Sequence, residues 1–125
     1  MINLAKNNLY SQQRQEFIKK RYDDIYAHEL AHKNAAGAFG GDIVIEKDSN
    51  GIPVGGHVSI KMPVLDKKNP DKTIQHANTV INAAMAPSDP SSQDYKVVAE
   101  ARSILNEANL YKDKSKSGKK LDIQA

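Results

Sequence analysis

The 125-residue sequence predicts a single small α+β domain built as a long helix, a β-hairpin and two further helices. Three observations carry that reading. Ile18, Ile25, His28 and His32 recur at helical spacing between Ser11 and about Ala36. Asp48-Ser49-Asn50-Gly51 separates two runs rich in β-branched residues, and Asn-Gly is a strong hairpin connection. Pro70, and then Ser91 or Ser92, stand where two more amphipathic stretches begin.

Residues 1–10 read as an irregular N-terminus. The domain proper is expected over residues 11–111. In its first helix Phe17 and Tyr22 lie beside the apolar stripe, while Lys19, Lys20, Asp23 and Lys33 fill much of the other side. Gly37 is the expected stop, with Gly40 and Gly41 just beyond. The first strand is Asp42 to Lys47 and the return strand Ile52 to Met62, with Val54, Val58, Ile60 and Met62 on one face. Gly55-Gly56 interrupts the return strand, which predicts a bulge or a close approach of another backbone. After a loop from Pro63 to Lys68, Asn69-Pro70 starts a helix to about Ala86, with Ile74, Ala77, Ile81, Ala84 and Met85 inward. Pro87, Asp89 and Pro90 break it. The last helix carries the stripe Val97, Ala101, Ile104, Leu105, Ala108 and Tyr111, with Asp94 in its first turn.

Composition narrows the chemistry. The chain has no cysteine, which excludes disulfides, thiolate metal sites, iron–sulfur clusters and cysteine nucleophiles. Any metal must be held by His, Asp, Glu or water. The net charge of +3 is uneven, with Lys112, Lys114, Lys116, Lys119 and Lys120 crowding residues 112–125. That stretch reads as a Lys-rich flexible tail. It lacks interleaved aromatics and any nucleic-acid-binding motif, so no nucleic-acid partner is expected. No apolar run is long enough to span a membrane. The first residues have no secretory-signal pattern, so a cytoplasmic location is expected.

The chemistry concentrates in His28-Glu29-Leu30-Ala31-His32. Histidines four apart on a helix present both imidazoles on one face, where two nitrogens can reach one zinc at ~2.0–2.1 Å. Glu29 points aside from the metal, toward where a metal-held water would lie, and is the expected general base. Each position of His-Glu-x-x-His therefore has a reason. A catalytic zinc takes three protein ligands and keeps one position open. The candidates for the third are His57 and His76, with Asp42 and Glu46 the nearest downstream carboxylates. His57 is favoured because the glycines before it let the strand approach the helix. Strict alternation nevertheless puts His57 opposite Val58 and Ile60, so a bulge would have to re-aim it. His76 reads as a surface residue. Tyr22 and Tyr26 read as core or rim residues that could donate to an oxyanion. Arg21 reads as solvent-facing or ion-paired, with a role in orienting Glu29 as the alternative. Asp48-Ser49-Asn50-Gly51 lacks most calcium-loop positions and reads as a turn.

Three segments resemble the SprA-related metallopeptidase family of bacteria. They are Ala27-His28-Glu29-Leu30-Ala31-His32, Val54-Gly55-Gly56-His57-Val58-Ser59-Ile60, and the stretch from Ala83 to Asp94 that contains Ala86-Pro87 and Gln93-Asp94. The resemblance covers roughly residues 21–105. It implies a zincin-like minimal domain and a zinc-dependent peptidase or hydrolase. Longer members of that family carry Glu where this chain has His57. Since Glu and His are both ordinary third ligands, the resemblance implies a ligand role for His57. The Ala-Pro-x-x-Pro-Ser-x-Gln-Asp stretch is expected to be structural, an interhelical turn with a helix cap.

The expected function is a zinc hydrolase acting on a peptide or protein substrate, with His28, His32 and His57 as metal ligands and Glu29 as general base. So small a domain offers few walls for a cleft, which leaves three routes: an extended peptide added to the hairpin strand, a homo-oligomer that builds the cleft between subunits, or a substrate limited to small or very exposed peptides. The alternative is a non-catalytic metal-binding or interaction module, its zinc closed by a fourth ligand from His76, Asp42 or Glu46.

Overall fold

A computed structural model describes the backbone of residues 2–124 and the side chains of residues 8–114. Its elements are α1 (Ile2–Ala36), a single 3-10 turn (Gly37–Phe39), β1 (Gly40–Lys47), β2 (Pro53–Ile60), α2 (Pro70–Ala84) and α3 (Ser92–Gln124). The class and the order of elements are those the sequence predicts. The two long helices extend further than expected. α1 begins at Ile2 rather than near Ser11, because residues 2–10 contain neither glycine nor proline and a nucleated helix propagates through such a stretch. α3 carries the Lys-rich segment 112–125 as helix to Gln124, since lysine is a good helix former and no proline stops it. Lys112 pairs with Asp71 of α2 at 2.7 Å, while the side chains of Lys116, Lys119 and Lys120 lie outside the described residues. Among the described residues, no helix is long and apolar enough to cross a membrane.

α1 is the spine. Both strands pack on it, α2 packs on it, and α3 packs on α2. Gly37, at φ +56°, ends the helix as expected, because only glycine takes the left-handed conformation without steric cost. The core between the helices is made of small residues: Ala77, Val80, Ala83, Ala84, Ala101 and Ala108 are buried. Short side chains let the backbones come close, and this closeness brings a carbonyl of α2 within reach of α1. Met85, expected inward, instead caps α2 and is half-exposed.

The hairpin turn is held by Asp48, whose Oδ1 accepts from the N–H groups of Asn50 and Ile52, with Gly51 at φ +77°. Glu46 pairs with Gly55 and Lys47 with Pro53, so Val54 is the extra residue of a bulge. Beyond the bulge the strand alternates: Gly56, Val58 and Ile60 turn inward, His57 and Ser59 outward. Gly56 is the point of close approach. A Cβ there would stand 2.7 Å from Ile25 Cγ2 and 3.1 Å from Glu29 Cγ. Gly56→Ala is therefore expected to destabilise the domain by about 1–3 kcal/mol and to push Glu29 aside, which urea denaturation monitored by circular dichroism checks.

Candidate metal centre

α1 places His28 and His32 one turn apart on its inner stripe, and their Nε2 atoms face each other at 3.2 Å. The opposite ring nitrogen of each histidine is anchored. Nδ1 of His32 lies 2.8 Å from the Ala83 carbonyl oxygen, which can only accept, so Nδ1 carries the proton and donates. Nδ1 of His28 lies 3.0 Å from Asp89 Oδ1 and donates to it in the same way. In turn, this bond holds the Asp89 carboxyl below its usual range. In its neutral form each imidazole is thus fixed in the tautomer that leaves an Nε2 lone pair pointing into the site.

The third group is Asp94. Its Oδ2 lies 3.3 Å from His28 Nε2 and its Oδ1 lies 3.2 Å from His32 Nε2. Asp94 is held there by a reciprocal cap at the start of α3. The Ser91 N–H donates to Asp94 Oδ2 at 2.8 Å, and the Asp94 N–H donates to Ser91 Oγ at 3.1 Å. The capping residue that the sequence assigns to a structural turn therefore aims a carboxylate at both histidines.

With neither Nε2 protonated, two lone pairs and a carboxylate converge, a set that could hold a cation. The separations suit one. A tetrahedral zinc with ligands at ~2.0–2.1 Å has ligand–ligand edges of about 3.3–3.4 Å, close to the 3.2–3.3 Å observed. His28, Glu29 and His32 likewise bring ligand atoms within 4.8 Å of one another, so this group could hold a metal ion. Asp94 stands within 3.3 Å of both imidazole Nε2 atoms, well inside that limit.

Glu29 is only 6% exposed as a residue, yet among the described residues no buried side-chain oxygen is left without a partner. Glu29 lines the cleft. Burial raises its pKa from the ordinary 4.5, His32 and His28 oppose the rise, and Asp94 adds to it. A carboxylate beside a cation site and open to a cleft is fit to take a proton from water.

His57 does not join the convergent set. Because Gly56 faces α1, alternation turns His57 away, and its Nδ1 pairs with Glu46 Oε1 at 3.0 Å. The bulge falls at Val54, too early in the strand to re-aim it. His57 nonetheless lines the cleft of about 340 Å³ into which Glu29, His32 and Asp94 open. β2 residues 56–60 form one wall of this cleft and the start of α3 the other. The remaining candidates stand apart. His76 stacks on Phe39 and bonds the Lys61 carbonyl oxygen at 2.7 Å. Asp42 is exposed beside Lys33. Tyr22 and Tyr26 stack on each other, 6.0 Å between centroids, and line neither this cleft nor the smaller one on the His28 side. Arg21 donates to the Pro53 carbonyl oxygen, tying α1 to β2.

Ser91→Ala removes the hydroxyl that accepts the Asp94 N–H. It is expected to cost about 1 kcal/mol of stability and to weaken metal binding about tenfold by loosening Asp94, as read by competition with a chromogenic chelator.

A profile of the SprA-related family matches residues 3–120 of the chain. No curated protein and no solved structure matches it.

Proposed function

The chain belongs to the SprA-related family, and on that premise we propose that it is a zinc-dependent hydrolase of the metallopeptidase type on a minimal zincin-like scaffold. The observation that carries the proposal is the convergence of His28 Nε2, His32 Nε2 and the Asp94 carboxylate beside Glu29, which lines an open cleft.

His28, His32 and Asp94 would hold the zinc. Asp89 and the Ala83 carbonyl fix the two imidazoles so that little rearrangement accompanies binding. When bound, zinc supplies Lewis-acid polarisation of a substrate carbonyl and makes water a better nucleophile. Glu29 accepts the proton of the attacking water at its carboxylate and passes it to the leaving amine nitrogen. His57, with Nδ1 oriented by Glu46, stands on the β2 wall of the cleft, where its ring can border a bound substrate. β2 has β1 on one side only, and residues 56–60 border the cleft. An extended peptide laid along that wall would pair with free strand-edge groups and present one bond to Glu29.

Three protein ligands and an open cleft favour catalysis over a closed structural site. The test is hydrolysis of a mixed peptide library by zinc-loaded protein. Cleavage that stops with a chelator and returns with zinc is expected. Zinc-loaded protein that cleaves no peptide would contradict the proposal and leave a metal-holding module.

A further inference from the structure

A second concavity, about 990 Å³, opens between the loop of residues 61–69 and α2. Its rim carries Lys61, Lys67, Lys68 and Lys72, all exposed. Among the described residues, none of the four forms an ion pair. The one acid on the lining, Asp66, keeps its charge while its Oδ1 accepts from the N–H groups of Lys68 and Asn69, and it is outnumbered by the four lysines. The lining also contains Met62, Leu65 and Val64, and Val64 is 80% exposed. Lys67 also lies over the Tyr111 ring at 5.5 Å, and the lysine-rich rim beside exposed Val64 complements an anionic, partly apolar ligand.

Met62 lines both this groove and the metal cleft. The chain that forms the β2 wall continues through Lys61 and Met62 into the lysine-rimmed loop, so a polypeptide following β2 past Ile60 would arrive between the lysines. We propose that this groove is a second binding site, which seats an acidic stretch of the polypeptide substrate with one apolar side chain against Val64 and Met62. The inference rests on the peptidase reading only for calling the bound chain a substrate. Nucleic acid fits less well. Phe39 is the only aromatic on the lining, and His76 already stacks on it, with centroids 3.7 Å apart and rings within 14° of parallel. The lining therefore offers no series of aromatic side chains on which successive bases could stack.

The test is fluorescence anisotropy with three labelled probes: a Glu/Asp-rich peptide containing one leucine, its Lys-substituted counterpart, and a single-stranded RNA of similar charge. It is run on the zinc-loaded Glu29→Gln protein, so no turnover is needed. The acidic peptide is expected to bind, to weaken with added salt, and to weaken about tenfold or more in the triple variant Lys61→Glu, Lys68→Glu, Lys72→Glu. These side chains are exposed, so the variant should keep its metal content and melting temperature, and the Gln versions should fall between it and the parent. Equal binding of all three probes, tighter binding of RNA, or unchanged affinity in the triple variant would overturn the proposal. The peptidase reading fails separately: zinc-loaded protein that binds the acidic peptide through the lysines but cleaves no peptide of the mixed library leaves the groove standing and removes the hydrolase.

Discussion

Glu29→Gln is expected to keep the metal and to lower peptide hydrolysis by about 10²–10⁴-fold, the usual share of a positioned general base. The amide matches the carboxylate in shape, so it fills the same space between Gly56 and the helix without holding a proton. Zinc content by elemental analysis and turnover of the best library peptide read the two halves of this statement. Burial lifts the Glu29 pKa above 4.5 in the metal-free protein, and the sign of the consequence is fixed. The folded state holds the proton more tightly than the unfolded chain. The corresponding stability is present below the unfolded pKa and is lost as pH rises through the folded one. Metal-free Glu29→Gln should lack this loss, and its melting temperature should be flatter than the parent's across the mildly acidic range. A profile as steep as the parent's would mean that Glu29 is not the desolvated acid described.

Asp94→Asn carries the second large effect. The amide oxygen still accepts from the Ser91 N–H, so the cap at the start of α3 and the fold survive. The negative charge that faces both histidines does not. Zinc affinity is expected to fall at least about 100-fold, beyond the usual effect of losing a residue that merely orients a ligand. Hydrolysis should be lost at limiting zinc and partly recovered at high zinc. Chelator competition gives the affinity, and the metal-free melting temperature, expected to change little, separates metal loss from unfolding.

The sequence made half of the site legible. A His-Glu-x-x-His run on an amphipathic helix places three groups by helix geometry alone, and the structure keeps His28, Glu29 and His32 together. Asp94 was hidden for two physical reasons. It comes from the far end of the chain, and it already has a sufficient local reason to exist, because an acid three residues after Ser91 completes a capping box. Only the packing of α2 and α3 through alanines shows that the same carboxylate reaches α1. His57 is the converse case. Strand alternation pointed it away from the helix, and resemblance pulled it inward. The structure sides with alternation, because the glycine that makes the close approach occupies the inward position itself. The hairpin was readable from Asn50-Gly51. The lengths of α1 and α3 were not, since their mixed polar ends give no periodic signal, and Gly118 in the Lys-rich stretch reads as a break that α3 passes through.

The most direct test of the account is zinc per chain in untagged protein, measured side by side for the parent, Asp94→Asn and His57→Ala. One zinc in the parent and in His57→Ala, with little or none in Asp94→Asn, is the predicted result. Zinc retained by Asp94→Asn and lost from His57→Ala would contradict it and restore the three-histidine centre.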